Sequence, residues 1–303
     1  MSGMAVHPES SALRYTMVTP VYNEDKYIAA MVESVLSQTI RPVKWVIVDD
    51  GSTDGTAEVV ASYANRHDFI ELVRRPRREE RLPGGEVAIQ QALHKVELLE
   101  YEFLARFDGD LILEPDYMEQ ILREFARDPR LGIAGGGLYI EKNGQLELEI
   151  EPAYHVRGAL KMYRRDCFEQ IGGLTTRIGW DTIDEVYAWI HGWKTRSFVQ
   201  YRVIHCRPTG LGLSRSRIFW ERGKAEYYSW SSPLFVLIKT AKIATRNVAP
   251  VCALSLLAGF LSGYAAWEPR IQDPLFVKTR RDQQLGRLLS LVTHRRFSCQ
   301  RSA

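Results

Sequence analysis

The sequence has few cysteines and little net charge. Only four cysteines occur in 303 residues, and they are far apart (Cys167, Cys206, Cys252 and Cys299). This spacing excludes the close cysteine pairs of a zinc site and the cysteine density of a disulfide scaffold, so we expect a reducing, cytosolic environment. Lys and Arg total 40 against 37 for Asp and Glu, and a net charge of +3 argues against nucleic acid as a partner.

Internal repeats and low-complexity tracts are also lacking, and the N-terminus has no basic segment followed by an apolar run. We therefore expect no signal peptide and a folded part that stays in the cytosol. With 45% hydrophobic and 25% charged residues, the chain can bury one large core and carry an appendage.

Apolar segments typical of strands alternate with segments of helical periodicity through the first two thirds of the chain. Strands are predicted at 14–18, 43–48, 69–73, 103–107, 131–139, 146–150, 159–163 and 198–204, and helices at 26–38, 57–63, 86–99 and 184–191. The alternation predicts an α/β fold with a mostly parallel, doubly wound sheet. Ligands of such sheets bind beyond the carboxyl ends of the strands.

The composition changes near residue 215. We expect one α/β domain over 12–215 and a helical, membrane-associating region over 216–303. Within that region, residues 248–267 form an uncharged run of about 20 residues, close to the length that spans a bilayer. A single crossing, an in-plane or re-entrant hairpin, and a helix packed on the α/β domain are all open for this run. Its basic surroundings suit an anionic membrane surface (Lys239, Lys242, Arg246, Arg270, Lys278, Arg280, Arg281, Arg287, Arg295 and Arg296).

Three polar loops each follow a predicted strand: Thr19 to Glu24, Asp49 to Asp54, and Asp108-Gly109-Asp110. Because the carboxyl ends of neighbouring parallel strands meet at one edge of a sheet, we expect the three loops to converge. Two carboxylates on one tight loop suit a hard divalent cation together with phosphate oxygens. An isolated Asp-x-Asp triplet fits an ordinary turn as well, so the order of the three loops carries more information than any one of them.

In this order and spacing, the loops resemble family 2 glycosyltransferases of the GT-A fold, over about residues 15–210. The resemblance implies sugar transfer with inversion from a nucleotide-diphosphate donor (UDP-, dTDP- or GDP-linked), with Mg²⁺ or Mn²⁺ as cofactor. The donor-binding residues that it implies are Pro20, Tyr22, Glu24, Asp49, Asp50, Asp108 and Arg207, and the metal ligands are Asp110 and His205. A turn that caps the next helix would also account for Asp49 to Asp54, and core packing would also account for His205.

An inverting transfer also needs a base, and family members carry an acidic pair at the start of a helix after a Gly-Gly turn. Counting back from Gly192 aligns Asp181 with the second acid of that pair and Trp180 with the first, so the sequence departs from the commonest pattern. Asp181 is the expected base. Asp184 and Glu185 are interpreted as first-turn helix acids that favour the macrodipole.

A second departure lies at 82–88, where many relatives carry a basic residue. Arg75 or Arg81 could supply that charge, but we interpret Arg74 to Arg81 as a solvated basic loop. The expected acceptor is lipid-linked or a polysaccharide, at the cytoplasmic face of the cell membrane. One alternative is a non-catalytic scaffold that binds nucleotide-sugar; another is a nucleotidyltransferase, which would need a Gly-rich basic loop that Val21 to Glu24 lacks.

Overall fold

A computed structural model describes residues 13–77, 86–96, 99–149, 152–177, 179–207, 214–245 and 250–293. Of the features discussed above, Arg81, Arg246, Arg295, Arg296, Cys299, residue 12 and the first two residues of the run 248–267 lie outside these ranges. The central element is a nine-stranded sheet. Its strands are β1 (Tyr15–Val21), β2 (Lys44–Asp49), β3 (Ile70–Arg74), β4 (Phe103–Phe107), β5 (Leu111–Leu113), β6 (Leu131–Lys142), β7 (Gln145–Leu148), β8 (Leu160–Arg164) and β9 (Lys194–His205).

The strand order is β3-β2-β1-β4-β8-β6-β9-β5, and β7 pairs with β6. The first four strands of this order are parallel to one another. Beyond β4, β8 pairs antiparallel with both β4 and β6, and β5 pairs antiparallel with β9. Strands β6 and β9 pair in parallel, so the sheet as a whole is mixed, and the expectation of a mostly parallel sheet is correct for β3-β2-β1-β4. The hairpin β6-β7 is antiparallel because the two-residue turn Asn143-Gly144 joins its strands, whereas β6 and β9 are joined by a long connection that includes α5 and α6.

Ten helices are present in the described part of the chain: α1 (Ile28–Leu36), α2 (Thr56–Ala64), α3 (Glu86–Val96), α4 (Tyr117–Arg127), α5 (Arg165–Gln170), α6 (Trp180–Ile190), α7 (Arg215–Tyr228), α8 (Pro233–Thr245), α9 (Pro250–Ala265) and α10 (Pro274–Thr293). Strand alternation sends Tyr15 and Met17 of β1 into one core, with α1 and α4. Val18 of β1 points into a second core, with α3 and α6. The sheet is thus covered on both faces.

Strand β1 continues through Pro20, whereas the sequence pattern predicted a loop from Thr19. Pro20 pairs in register with Val48 of β2, and pairing with β4 on the other side stops at Val18. A proline has no backbone N–H and cannot donate the hydrogen bond that a residue in a central strand makes to its neighbour. Because β4 no longer pairs with β1 at this position, Pro20 fits here without the loss of such a hydrogen bond. Pro20 is fully covered, so it lies at the end of the strand, beneath the first loop.

Three elements were not predicted: β5, α4 and α5. Helix α6 starts at Trp180, four residues before the predicted start at Asp184. Asp181 is therefore a first-turn residue. Asp184 and Glu185 lie in the second turn, with 4% and 1% of their surface exposed, so the interpretation of these two acids as first-turn residues that favour the macrodipole is wrong.

The C-terminal helices pack on the sheet domain and on one another. Ile183 and Val186 of α6 share an apolar cluster with Ile271 and Phe276. Helix α9 packs closely against α7 at Gly259, because glycine has no side chain. An added Cβ at this position would lie 2.1 Å from the carbonyl oxygen of Trp220. Among the helices described, none is both long and apolar enough to cross a membrane.

Candidate functional site

The three polar loops converge at the carboxyl ends of β1, β2 and β4, as the sequence predicted. The backbone N–H of Asn23 donates to Ser52 Oγ at 3.0 Å, and the N–H of Glu24 donates to Thr56 Oγ1 at 2.7 Å. The third loop touches the first at Gly109, where an added Cβ would lie 2.1 Å from Glu24 Oε2. Only glycine therefore fits between the two carboxylates of the Asp-x-Asp loop.

A single arginine holds the carboxylates of two of these loops together. Arg207 Nε donates to Asp110 Oδ2 at 2.5 Å, and Arg207 Nη2 donates to Glu24 Oε1 at 2.6 Å. The side chains of Asp110 and Glu24 are 5% and 6% exposed, whereas that of Arg207 is 25% exposed. The guanidinium thus lies at the mouth of the site, with the two carboxylates beneath it.

His205, at the end of β9, lies behind the same carboxylate. Its Nε2 is 3.6 Å from Asp110 Oδ2, and its Nδ1 is 3.7 Å from Glu149 Oε1. Burial lowers the pKa of His205, but the neighbouring carboxylates outweigh burial and raise the pKa to about 9. Burial likewise raises the pKa of Asp110, and the positive charges of His205 and Arg207 outweigh it and lower that pKa. Asp110 is therefore an ionised carboxylate between two cations.

The chemistry of these residues fits a divalent metal ion only with help from a ligand. Asp110 offers a carboxylate oxygen, and His205 Nε2 lies 3.6 Å from it. His205 Nδ1 faces Glu149 and has no hydrogen-bond partner among the residues that the structure describes. The positive charge of Arg207 already lies against Asp110. Within the described ranges, no three His, Cys, Asp or Glu side chains are grouped so that they could hold a metal ion. Mg²⁺ and Mn²⁺ are commonly bound by one or two protein groups together with phosphate oxygens, and the donor set here matches that pattern.

Asp108, the first acid of the Asp-x-Asp loop, faces a different partner from Asp110. Arg106 Nη1 donates to Asp108 Oδ1 at 2.5 Å and to the carbonyl oxygen of Gly158 at 2.8 Å. The Arg106 guanidinium also lies 4.9 Å from the ring centroid of Trp180. This arginine therefore connects the Asp-x-Asp loop to the N-terminus of α6.

The loop after β2 forms a second corner of the site. Asp49 Oδ1 accepts a hydrogen bond from the N–H of Ser52 at 3.1 Å, which closes the tight turn. Asp50 pairs with Arg75 at 2.7 Å, and both side chains are 8% exposed. The solvated-loop interpretation is thus wrong for Arg75, because the backbone N–H of Arg75 bonds to Asp49 and turns the side chain inward. Tyr22 is half-buried beside this corner.

Asp181 is 34% exposed and lies on the α6 side of the site. An added Cβ on Gly158, whose carbonyl binds Arg106, would lie 3.2 Å from Asp181 Cβ. Burial raises the pKa of Asp181, and the positive charges of His155 and Lys161 outweigh it and lower that pKa. Asp181 is therefore ionised at neutral pH and accessible from the site.

Behind Asp181 lies a buried charge network that the sequence interpretation missed. Lys161 Nζ donates to Asp184 Oδ1 at 2.8 Å and lies 3.3 Å from Glu185 Oε1. The sequence did hold a sign of this network, because Lys161 lies within an apolar strand. A charge buried in this way needs a partner of opposite charge. Arg106, inside β4, gave the same kind of signal. Glu149 and His155 gave none, because they lie in segments without a recognisable pattern.

The sequence matches a known protein family over most of its length. The family model of Glycosyl transferase family 2 matches residues 16–223. The chain is 24% identical over 259 residues to a poly-beta-1,6-N-acetyl-D-glucosamine synthase of Staphylococcus epidermidis, covering 74% of this chain and 57% of that protein. It is 35% identical over 109 residues to a chondroitin synthase of Escherichia coli, covering 36% of this chain and 15% of that protein. This chain spans about half the length of the first curated relatives that it matches.

A solved structure shares the fold. A mannosyltransferase of Pyrobaculum calidifontis, PcManGT, in complex with GDP-Man and Mn²⁺, superposes with a TM-score of 0.55 at 19% identity, covering 92% of this chain and 80% of that chain. The mixed sheet and its flanking helices are therefore a GT-A fold. Because the family model covers more than half of the sequence and the loops of its motifs converge here, the chain belongs to glycosyl transferase family 2.

Proposed function

We propose that the protein transfers a glycosyl group from a nucleotide-diphosphate sugar to an acceptor hydroxyl, with inversion at the anomeric carbon. One observation carries the proposal: Arg207 bridges Glu24 and Asp110, and Arg106 links the neighbouring Asp108 to the helix that bears Asp181. A cationic group for a leaving diphosphate and an ionised carboxylate for a base thus belong to one site. Direct displacement requires both.

The nucleoside of the donor would bind at the corner formed by the β1 and β2 loops. A carboxylate accepts hydrogen bonds from a base N–H or a ribose hydroxyl, and Asp49, Asp50 and Asp108 supply such acceptors. Pro20 and Tyr22 would line the same corner, and Glu24 borders the diphosphate. UDP-, dTDP- and GDP-linked sugars are all donors of this class.

The diphosphate would lie against Arg207. This guanidinium is held by Glu24 and Asp110, and its 25% exposure leaves it within reach of a ligand. Arginine suits phosphate because its N–H groups donate in a planar, bidentate arrangement. Mg²⁺ or Mn²⁺ would be held by Asp110 and by His205 in its neutral form, since a histidine must lose its proton to bind a metal ion, and would neutralise the charge that develops on the departing diphosphate.

Asp181 would act on the acceptor. The acceptor hydroxyl oxygen forms a bond to the anomeric carbon, the bond from that carbon to the diphosphate oxygen breaks, and the hydroxyl proton passes to Asp181. The nucleoside diphosphate leaves with the electron pair. The ionised state of Asp181 supports this role, because a base must be unprotonated before it can accept a proton.

The acceptor is proposed to be a polysaccharide or a lipid-linked sugar at the cytoplasmic face of a membrane. The names of the synthases similar to this chain support a polysaccharide product. The outer face of α9 supports the membrane. Leu254 and Leu261 of that face are 65% and 54% exposed, and Trp267, just after the helix, is 88% exposed.

This apolar face is continuous along α9 and has a counterpart on α8. The exposed residues recur every three or four positions: Val251, Leu254, Ala258, Leu261 and Ala265 on α9, and Leu234, Leu237, Ile238 and Ala241 on α8. Neither helix contains an acidic residue, and α8 contains Lys239 and Lys242. A surface helix normally turns polar residues outward, so an outward apolar face with basic neighbours suits an anionic bilayer surface.

Flotation with vesicles tests the membrane proposal. Wild-type protein should float with vesicles of phosphatidylglycerol and phosphatidylcholine, and Leu254→Glu combined with Leu261→Glu should abolish flotation. Leu146→Glu is the control, since Leu146 is an exposed leucine, 42% accessible, on the β7 hairpin. Failure of wild-type protein to bind vesicles, or self-association through the same face, would contradict the proposal.

Thermal unfolding tests the donor site. Nucleoside diphosphates and nucleotide-sugars with Mn²⁺ should raise the Tm, with a preference for one base, because a ligand that binds the native state stabilises it. Asp110→Asn should remove the Mn²⁺-dependent part, and Asp116→Asn, an exposed acid at the start of α4, should not. Absence of stabilisation by every donor would overturn the donor-site assignment, whereas donor binding without turnover in the wild type would favour a non-catalytic scaffold.

A further inference from the structure

A histidine lies between Asp181 and a buried glutamate. His155 Nδ1 is 2.9 Å from Glu185 Oε2, and His155 Nε2 is 4.0 Å from Asp181 Oδ2. The exposure of the three side chains rises along this line, from 1% at Glu185 through 17% at His155 to 34% at Asp181. One imidazole therefore joins a fully buried carboxylate to the carboxylate that faces the site.

The buried end of this line is fixed. Glu185 Oε1 accepts a hydrogen bond from the N–H of Val156 at 2.7 Å and lies 3.3 Å from Lys161 Nζ. The backbone that carries His155 is also held, because its N–H donates to the carbonyl oxygen of Pro152 at 2.9 Å. A carboxylate so placed accepts a hydrogen bond from the imidazole N–H that it faces, so Glu185 fixes the ring orientation in which Nε2 points to Asp181.

We propose that His155 is a positioning residue: anchored by Glu185, its ring keeps the Asp181 carboxylate in place to accept the proton of the acceptor hydroxyl. The inference rests on the proposed function, because Asp181 needs such support only if it serves as the base. His155 touches no reacting atom. It acts through the charge that it places beside Asp181 and through its hydrogen bond to Glu185.

The charges that face this pair come from several elements. Helix α6 contributes Asp181 and Glu185, β8 contributes Lys161, the loop before β8 contributes Arg157, and α7 contributes Arg222. Asp184 of α6 pairs with Lys161. Burial lowers the pKa of His155, but Glu185 and Asp181 outweigh burial and raise it. The imidazole therefore keeps its proton to a higher pH than a histidine in water, and the positive charge of the protonated ring adds to that of Lys161 in lowering the pKa of Asp181.

The pH dependence of transfer tests the inference. His155→Gln keeps a side chain that can donate to Glu185 but removes the charge. Without that charge, the pKa of Asp181 rises, so the acid limb of the kcat/KM profile should move to higher pH. His155→Lys, which keeps a positive charge, should move the limb less. His67→Gln, a histidine that lies before β3 and contacts Phe69, should leave the profile unchanged.

The magnitude of the kcat change separates positioning from chemistry. Asp181→Asn should lower kcat by roughly 100- to 10,000-fold, the usual contribution of a general base. His155→Gln should lower kcat by less than that, with the donor KM unchanged within about twofold. Donor-induced thermal stabilisation of both variants should match the wild type, which establishes that the variants are folded and that the donor site is intact.

The outcomes distinguish the role of Asp181 as the base from the role of His155 as its positioning residue. If Asp181→Asn remains active, the assignment of the base fails, and with it the proposed mechanism. If Asp181→Asn is inactive but His155→Gln shows a wild-type acid limb and kcat, the inference about His155 alone is overturned. An NMR titration of the His155 imidazole gives a further check that does not depend on activity: a pKa at or below about 6.5, the ordinary value for histidine, would contradict the inference.

Discussion

Replacing Arg207 with glutamine should increase the affinity of the donor-free protein for Mn²⁺. The Arg207 guanidinium lies between Glu24 and Asp110, with donor-acceptor distances of 2.6 Å and 2.5 Å. A divalent ion that binds Asp110 has to displace this guanidinium. Glutamine carries no charge and competes less for the carboxylates.

The size of the effect follows from these contacts. A hydrogen bond to a charged group contributes about 1.5–3 kcal/mol. Arg207 is 25% exposed, so solvent screens its interactions, and we take about 2 kcal/mol for the pair of contacts together. Since about 1.4 kcal/mol corresponds to a factor of ten, Mn²⁺ should bind the variant about 30-fold more tightly. Binding of a nucleoside diphosphate should change in the opposite direction, because the variant lacks the guanidinium that pairs with phosphate.

Electron paramagnetic resonance of free Mn²⁺ measures the affinity for Mn²⁺, and calorimetric titration measures the affinity for the nucleoside diphosphate. Arg202→Gln is the matched control, since Arg202 is an exposed arginine on β9, the strand that precedes Arg207, and lies over the Tyr139 ring. A variant at position 207 that binds Mn²⁺ no more tightly than the wild type would refute the idea that Arg207 and the cation compete for one place. Unchanged binding of the nucleoside diphosphate would show that Arg207 does not contact the donor.

Two further predictions concern stability. Burial raises the pKa of Glu226, but Lys239 and Arg280 outweigh it and lower the pKa to about 2 from 4.5. Stability from this network, about 3 kcal/mol, should be present above about pH 4.5 and lost as the pH falls towards 2, so urea unfolding of wild type and Glu226→Gln should converge over that range. Gly259→Ala should lower the free energy of unfolding by about 1–3 kcal/mol, because its Cβ would overlap the backbone of α7. Gly55→Ala, whose Cβ would have its nearest neighbour at 3.9 Å, should change stability far less.

Local patterns located most of the N-terminal elements. Strand β4 has the predicted bounds, and β2 and α2 differ from the predictions by a residue at either end. Alternating apolar residues report which face of a strand is buried, and this information is local. Helix α4 was missed although Tyr117, Ile121, Leu122 and Phe125 recur at helical spacing and are all buried. Its signal was present in the sequence.

The start of α6 shows where local patterns are insufficient. Its first turn contains Trp180, Asp181 and Thr182, which do not form an apolar stripe. Trp180 is buried because Arg106 of β4 lies over its ring, and that contact depends on the packing of α6 against the sheet. The predicted helix therefore began four residues late, and the buried environment of Asp184 and Glu185 was not anticipated.

The sequence by itself determined the family, the three loops at the strand ends and the residues expected to bind the donor. These depend on the order and spacing of residue types, which are properties of the chain alone. Only the tertiary structure decided which charges meet. Glu24 and Arg207 are 183 residues apart, and His155 meets Glu185 and Asp181 only because α6 packs beside the loop before β8. Pairings of this kind are set by how the strands are ordered in the sheet, and no local pattern encodes that order.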